Sequence, residues 1–158
     1  MSLMNENMRN LVKSSDCSDT ALERELLEIV DAGLMVSEGC VLLKYLQRLS
    51  AGAAVSDFQD CTGYECFVNS LHIDDYVSGN YVVQAFLFVF KVFALWRNFN
   101  AMSGDIAAIV LVDDFGVVVK FHFCRDSEFW LANDLQKYEE AVLYMLSSDA
   151  INDLNSKL

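Results

Sequence analysis

His122 and Cys124 are the residues whose types and spacing come closest to a catalytic pair. Side chains two apart on a β-strand share one face, so the imidazole could activate the thiol as a nucleophile, with Asp126 orienting the imidazole. The same spacing also arises by chance at a strand end, where a thiol packs as a small apolar group. Because no segment supplies an oxyanion site, the sequence favours packing, and we predict no catalytic residues and no enzyme.

A zinc site is the second chemistry that the cysteines and histidines allow. Cys61, Cys66 and His72 lie close in sequence, and His122 with Cys124 could complete a ligand set. Structural zinc usually depends on tight cysteine knuckles with about two to four intervening residues. Cys61 and Cys66 lie at the edge of that range, and the second pair is not a knuckle. We therefore predict packed free thiols, no metal and no cofactor.

Two pairs of adjacent carboxylates offer a third possibility. Asp74 with Asp75, and Asp113 with Asp114, could bind a divalent cation or act as acid and base. Adjacent aspartates are more often solvated turn formers, and no EF-hand spacing surrounds either pair. No glycine-rich loop precedes a lysine, so a phosphate cradle is absent as well.

The most informative chemical feature is a stretch without a basic residue. Between Leu49 and Phe90 the chain has no Lys or Arg, and acids alternate there with aromatic residues. Aromatic anchors rimmed by carboxylates suit a basic protein partner, because they combine buried contact area with electrostatic steering. An ordinary solvated acidic surface is the alternative. The residues that we predict to bind a partner are Asp57, Asp60, Tyr64, Glu65, Asp74, Asp75 and Tyr76.

Composition limits the classes of protein to which the chain can belong. Its 158 residues include 23 acids and 11 bases, which gives a net charge of −12. A phosphate backbone would repel such a surface, so we predict no direct binding of nucleic acid. Hydrophobic residues make up 54% of the chain, which excludes intrinsic disorder.

The apolar segments and cysteines indicate a cytoplasmic protein. Met1 to Asn10 has no apolar core, so we predict no secretory signal. The longest apolar run, from Tyr81 to Trp96, is interrupted by Gln84 and Lys91. We therefore predict a buried helix rather than a membrane-spanning one, and no interaction with a membrane. The five cysteines are then expected to be reduced thiols.

The first half of the chain has helical periodicity. Thr20 and Glu23 have the spacing of a capping box, which predicts a helix that ends near Gly33. Ser37 is placed to cap a second helix that stops near Gly52. The short connection predicts an antiparallel helical hairpin, although one bent helix remains an alternative. A short helix is predicted over 64–71, capped by Thr62.

The second half combines a long helix with a β signal. Tyr81 to Phe99 is apolar nearly all round and predicts the central helix. Ile106 to Val112 and Val117 to Phe123 are β-branched runs joined by a turn that contains Gly116, which predicts a hairpin. From Asp126 or Ser127 to about Ser147, apolar residues at helical spacing predict a closing helix.

These elements predict a helix-rich α+β fold. We expect one domain over residues 1–158, with frayed ends at 1–18 and 148–158. The domain has a central apolar helix, and a β-hairpin in its C-terminal half is followed by the closing helix. A two-stranded hairpin is marginal alone, so its face is expected to pack on the central helix, or its edge to pair with a further strand. A homodimer through that edge remains an open alternative.

An acidic chain of this size without an enzyme motif resembles the bacterial immunity proteins that neutralise toxin domains, such as those of contact-dependent growth inhibition systems. The resemblance implies a tight inhibitor of a cationic toxin, commonly a nuclease, that blocks the active site by imitating the charge of the substrate. The pattern from Asp105 to Leu146 resembles the acidic α+β chaperones of type III secretion, whose first half, unlike this one, carries strands. An unrecognised small hydrolase is the third class.

Overall fold

A five-stranded antiparallel sheet packed against a long helix forms the body of the computed structural model, which describes residues 3–16 and 18–149. The spatial order of the strands in the main sheet is β1-β7-β5-β6-β4, and β2 pairs with β3 in a separate hairpin. Within the described ranges the elements are β1 (Leu3–Met4), α1 (Glu6–Ser14), α2 (Arg24–Ala32), β2 (Leu34–Ser37), β3 (Cys40–Leu43), α3 (Lys44–Leu49), α4 (Cys61–Val68), β4 (Ser70–His72), α5 (Tyr81–Arg97), β5 (Ile106–Asp113), β6 (Gly116–Phe123) and β7 (Ala141–Leu146).

The predicted central helix is confirmed as α5. Phe88 and Phe93 are fully buried, and their rings meet the edge of Phe121 on β6 at centroid distances of 5.8 and 6.3 Å. The opposite side of the helix carries Lys91 and Arg97 into solvent. One face of α5 therefore covers one face of the sheet, and this contact forms the main hydrophobic core.

The predicted β-hairpin is also confirmed. Strands β5 and β6 pair over their full length, from Ile106 opposite Phe123 to Asp113 opposite Gly116. Gly116 has a φ of 138°, and a Cβ at this position would collide with the carboxylate of Asp74. Glycine is required here because the backbone passes directly beneath that side chain.

The predicted pair of helices in the first half is only partly correct. Helix α2 ends at Gly33 as expected, but its N-terminal residue Glu23 makes no capping hydrogen bond through its side chain. Where the second helix was expected, Glu38 and Gly39 have φ values of 52° and 77°, and the chain reverses into the β2–β3 hairpin. Two consecutive positive φ angles suit a tight hairpin turn and exclude a helix. Helix α3 begins only at Lys44.

The predicted closing helix is wrong. Residues 124–140 form an irregular segment whose one regular turn, Leu135–Lys137, is 3₁₀, and the chain then enters β7 between β1 and β5. Val142 and Leu143 are both buried although they face opposite sides of the sheet. A strand covered on both faces has a continuous apolar sequence, which periodicity does not separate from a helix. The expected helix-rich α+β fold is therefore replaced by a mixed, sheet-rich one.

The N-terminal region is ordered rather than frayed over Leu3–Ser14. Leu3 and Met4 pair with β7, and the Asn5 side chain is buried beside them. Asn5 Oδ1 accepts hydrogen bonds from the amides of Met8 and Val142, both at 3.0 Å, and Nδ2 donates to the Glu140 carbonyl at 2.6 Å. One side chain thus caps α1 and fastens it to the sheet. Most of the C-terminal stretch expected to fray, 150–158, lies outside the described residues.

None of the helices in residues 3–16 and 18–149 combines the length and the apolar character needed to cross a bilayer.

Candidate functional site

The first four residues predicted to bind a partner are mostly occupied with structural roles. Glu65 and Tyr64 are 0% and 6% exposed. Asp60 accepts a hydrogen bond from the amide of Gly63 and caps α4, while Asp57 accepts one from the amide that starts a 3₁₀ turn. Of these four, only Asp57 is exposed to solvent, so this end of the predicted set offers little charged surface to a partner.

The remaining predicted residues lie at the other end of strand β6. Asp74 accepts a hydrogen bond from the Val117 amide at the start of β6, whereas Glu65 accepts one from the Phe123 amide at its end. Val117 and Phe123 are six residues apart on this strand, so the two carboxylates bind it at points separated by about 20 Å. Asp75, which is exposed, and Tyr76, which is half-buried, follow Asp74 directly. The structure therefore does not bring the seven residues together on one surface.

Glu65 is the centre of a buried polar network. Its two carboxylate oxygens accept hydrogen bonds from the Arg125 guanidinium, both at 2.9 Å. They also accept from the backbone amides of Val41 on β3 and Phe123 on β6, at 2.7 and 2.8 Å. The carboxylate raises the pKa of Arg125 above its ordinary value. Both charges are thus fully paired, and the network holds two strand edges together.

Asn69, one turn further along α4, extends this network. Its Oδ1 accepts from the Leu43 amide at 2.8 Å, and its Nδ2 donates to the carbonyls of Val41 and Phe121 at 2.9 and 3.2 Å. Asn69 and Glu65 together satisfy the backbone groups that a strand between β3 and β6 would otherwise pair. We therefore assign both residues to the architecture rather than to recognition.

His122 and Cys124 lie on the sheet face that is turned away from α5, close to Tyr144. The Cys124 thiol lies 3.9 Å from the Tyr144 hydroxyl, and the imidazole Nδ1 lies 3.0 Å from the carbonyl of Phe123. His122 Nε2 is buried and has no hydrogen-bond partner within the described part of the chain. Burial raises the pKa of the Cys124 thiol and lowers that of His122. A neutral thiol beside a neutral imidazole gives no support to nucleophilic catalysis.

The cysteines and histidines considered for zinc are dispersed. Across residues 3–16 and 18–149, no group of three or more His, Cys, Asp or Glu side chains is placed to hold a metal ion. His72 is exposed at the end of β4, whereas Cys66 is buried within α4. Burial raises the pKa of Cys66 to about 12, so this thiol is protonated near neutral pH.

An open groove of about 820 Å³ lies between α1, the tip of the β5–β6 hairpin and the residues that lead into β7. Four carboxylates contribute to its lining, and Phe115, at the hairpin tip, is 92% exposed. We call this surface the acidic groove. Its lining residues are Asn7, Asn10, Leu11, Ser14, Val112, Asp113, Asp114, Phe115, Glu139, Glu140 and Ala141.

The backbone around the acidic groove is held by specific hydrogen bonds. Asp113 Oδ1 accepts from the Phe115 amide at 2.8 Å, which fixes the turn that carries the aromatic ring. The carbonyls of Glu139 and Glu140 accept from the side-chain amides of Asn7 and Asn5, at 2.9 and 2.6 Å. All four acidic residues are exposed. The groove thus presents solvated carboxylates and one apolar ring from a fixed backbone.

Sequence patterns did not identify the acidic groove. Asp113 and Asp114 were considered as a cation-binding or acid–base pair and preferred as turn formers, and Glu139 and Glu140 were placed within a helix. The groove combines segments that are more than 100 residues apart in the chain, so only the pairing of β1 with β7 brings α1 beside them. The one local signal was an aromatic residue, Phe115, directly after two acids in a predicted turn.

Comparison with known proteins gives a family and a relative. Residues 3–156 match the family described as the Uncharacterized protein PM0498 family. A protein named "Uncharacterized protein PM0498", from Pasteurella multocida (strain Pm70), is 32% identical over 137 residues, which cover 78% of this chain and 77% of the relative. No solved structure matches the chain. Neither description assigns a ligand, a partner or a reaction.

Proposed function

Because the chain belongs to the Uncharacterized protein PM0498 family, whose description names no activity, we propose its function from the geometry of the acidic groove. We propose that the protein binds a basic protein partner through this groove and inhibits it without turnover. The observation that carries the proposal is Phe115, which is 92% exposed at the tip of the β5–β6 hairpin, directly after Asp113 and Asp114. In its finer form, the partner is a toxin domain that cleaves nucleic acid, neutralised in the cytoplasm.

Phe115 supplies the apolar contact that a stable complex requires. A large aromatic ring in water is unfavourable, and burying one fully contributes roughly 1.5–3 kcal/mol. Aromatic residues at the centre of an interface often dominate its binding energy. The ring projects beyond the hydrogen-bonded strands β5 and β6, so it can enter a concave surface without rearrangement of the backbone.

The carboxylates of the acidic groove supply the complementary charge. Asp113, Asp114, Glu139 and Glu140 line the same groove as the ring, and the whole chain carries a net charge of −12. Such a field accelerates the encounter with a cationic protein, to roughly 10⁸–10⁹ M⁻¹s⁻¹ at low salt. Rapid association suits an inhibitor that must intercept a toxin before it acts.

Imitation of phosphate by carboxylate connects binding to inhibition. Enzymes that cleave nucleic acid hold the phosphates of the substrate with Lys and Arg side chains. Carboxylates accept the same charge-assisted hydrogen bonds, including bidentate ones from Arg. The hairpin tip carries an acidic pair and an apolar ring, and a second acidic pair lines the groove beside it. These side chains can therefore occupy a phosphate-binding cleft of the partner.

A kinetic experiment with a basic nuclease toxin domain as the partner tests the proposal. Association rates would be measured against ionic strength for the wild type and for an Asp113/Asp114/Glu139/Glu140 variant carrying the corresponding amides. We expect the wild-type rate to fall steeply with salt and the variant to associate at least about tenfold more slowly at low salt. Phe115→Ser should mainly accelerate dissociation, and nuclease activity should recover in parallel.

An Asp57/Asp75→Asn variant is the matched control, because it removes exposed charge outside the groove. It should retain most of the rate and the inhibition. If this control loses binding while the groove variant does not, the surface predicted from sequence is the site and the acidic groove is not. A salt-insensitive rate with an extended segment of a secreted effector would favour the chaperone alternative.

A further inference from the structure

Two cysteines from different elements face each other where α4 packs on the β2–β3 hairpin. Tyr64 and Val68 of α4 form a small core with Cys40 and Leu42 of β3, and Cys61 packs against it. Residues 61, 64 and 68 lie on one helical stripe, so Cys61 continues the face that covers Cys40.

The hydrogen bonds along α4 fix the level at which the two thiols meet. Asn69 binds the Leu43 amide, and Glu65, one turn earlier, binds the Val41 amide. Cys61 lies one further turn towards the start of α4, and by the same spacing it is level with Gly39, the residue next to Cys40. In agreement with this proximity, Cys61 is one of the groups that raise the pKa of the Cys40 thiol, after burial.

The surroundings of the two thiols differ in a way that suits stepwise oxidation. Cys61 is partly exposed, whereas Cys40 is fully buried. The Arg125 guanidinium donates to the carbonyl of Gly39 at 3.0 Å and interacts electrostatically with Cys61. Burial is the main cause that raises the pKa of Cys40 to about 12. Cys61 is therefore the thiol that a reagent meets first, and Cys40 is the resolving thiol behind it.

We propose that Cys40 and Cys61 are a reversible disulfide site that is oxidised by a small-molecule disulfide of the glutathione type. The Cys61 thiolate attacks one sulfur of the oxidised reagent, forms a mixed disulfide and releases one reduced thiol. The Cys40 sulfur then attacks Cys61, forms the protein disulfide and releases the second. Two protein thiols are oxidised, one reagent disulfide is reduced, and the two protons leave with the reagent thiols.

The bond would join the β2–β3 hairpin covalently to α4, which the structure already holds together through Glu65 and Asn69. It closes a loop that contains α3 and the 3₁₀ turn at 55–57. This site is independent of the acidic groove, since none of the groove residues belongs to β3 or α4.

Oxidation of the full-length reduced protein with oxidised glutathione tests the proposal. We expect the intact mass to fall by two hydrogen atoms without retained glutathione, and peptide mapping to identify a Cys40–Cys61 linkage. Dithiothreitol should reverse the change. The melting temperature of the oxidised protein should rise by roughly 5–10 °C, because the crosslink restricts the unfolded chain.

Cys40→Ala and Cys61→Ala should each abolish the crosslink, and Cys61→Ala should also slow the first step with the reagent. Cys66→Ala is the matched control, because it removes a buried cysteine from the same helix. It should leave the crosslink intact. Wild-type protein that does not react, that retains glutathione on single thiols, or that links any other pair of cysteines, Cys17 included, overturns the proposal without recourse to a variant.

Discussion

At the scale of single residues, Glu65 illustrates how a charge can be structural although the sequence suggests a surface. Its side chain has no exposed area, and its oxygens are shared between Arg125 and the amides of Val41 and Phe123. Acids near aromatic residues in a segment without Lys or Arg indicated a binding surface. The counter-ion lies 60 residues away, so local sequence did not reveal the pairing.

Substitution of Glu65 should therefore destabilise the protein strongly. Glu65→Gln removes the buried carboxylate that binds Arg125 and leaves the guanidinium only a longer ion pair to Glu128, at 3.7 Å. We expect a loss of about 3–5 kcal/mol in the free energy of unfolding. Urea denaturation followed by circular dichroism measures this loss. Glu28→Gln is the control, because Glu28 pairs with Arg24 on the exposed surface of α2 and should cost less than about 1 kcal/mol. Equal losses in the two variants would contradict the structural role of Glu65.

Because of His122, the free energy of unfolding should decrease as the pH is lowered below about 6.5. Burial lowers its pKa in the folded state, while the unfolded chain binds a proton below about pH 6.5. The contribution of neutral His122 to the free energy of unfolding is therefore fully present above about pH 6.5. It is lost as the pH falls from about 6.5 towards the folded-state pKa, because the unfolded chain binds a proton that the folded protein does not. The loss is at most about 1.4 kcal/mol per pH unit.

Unfolding free energies of His122→Phe and wild type, measured between about pH 7.5 and 5.5, isolate this effect from that of the carboxylates. The variant should lose less stability over this range than the wild type. His72→Phe changes the exposed histidine and should retain the wild-type slope. Parallel curves for His122→Phe and wild type would show that the imidazole is protonated equally in both states.

At the scale of elements, prediction succeeded where length or turn chemistry was decisive. The run that became α5 is too long for an ordinary strand, and Gly116 marked the β5–β6 turn. One helix was predicted across β3 and α3, because their apolar residues happen to repeat at helical spacing. These residues are Val41, Leu42, Tyr45, Leu46 and Leu49. The turn at Glu38 was missed because a non-glycine residue with positive φ is uncommon.

Strand β7 was missed for a different physical reason. Both of its faces are buried: Leu143 belongs to the main core under α5, and Val142, on the opposite face, is fully buried as well. A strand in that position loses the alternation of apolar and polar residues that identifies a half-buried strand. The acidic groove could not be predicted either, since it depends on β7 lying beside β1.

Gly116→Ala should disrupt the β5–β6 hairpin turn. The new methyl group would collide with the Asp74 carboxylate, and alanine rarely adopts a φ of 138°. We expect a loss of about 2–3 kcal/mol in the free energy of unfolding, measured by urea denaturation. Gly52→Ala is the matched control, because no atom lies within 4 Å of its added Cβ. It should change stability by less than about 0.5 kcal/mol, and an equally mild Gly116→Ala would contradict the close approach of Asp74.

At the scale of the whole molecule, Asn5 joins the first part of the chain to the last strand of the sheet. The hydrogen bonds of its side chain reach Val142 and Glu140, more than 130 residues away. Helix α1 owes its position to this contact, to β1 and to Met8, which is buried in the main core, while its other side borders the acidic groove. The buried amide of Asn5 therefore contributes to the integrity of the proposed binding surface.

Asn5→Ala should destabilise the protein and loosen α1 before the rest of the fold. The amides of Met8 and Val142 lose their acceptor, which we expect to cost about 2–3 kcal/mol. Hydrogen exchange should accelerate in α1 and β1 more than in α5, and affinity for the basic partner should fall. Asn98→Ala, which removes an exposed side chain at the end of α5, is the control. Uniform acceleration across the chain would show that Asn5 does not hold α1 locally.

The position of β7 between β1 and β5 also determines when the sheet can close during translation. Helices α2 to α5 and the β5–β6 hairpin can assemble as the ribosome extends the chain, but β1 has no strand to pair with until Ala141–Leu146 has emerged. Until then, Leu3 and Met4 and the apolar side of α1, including Met8, are exposed to other nascent chains and to chaperones. Synthesis of β7 is thus the step that converts a partly folded nascent polypeptide into one whose N-terminal segment is protected.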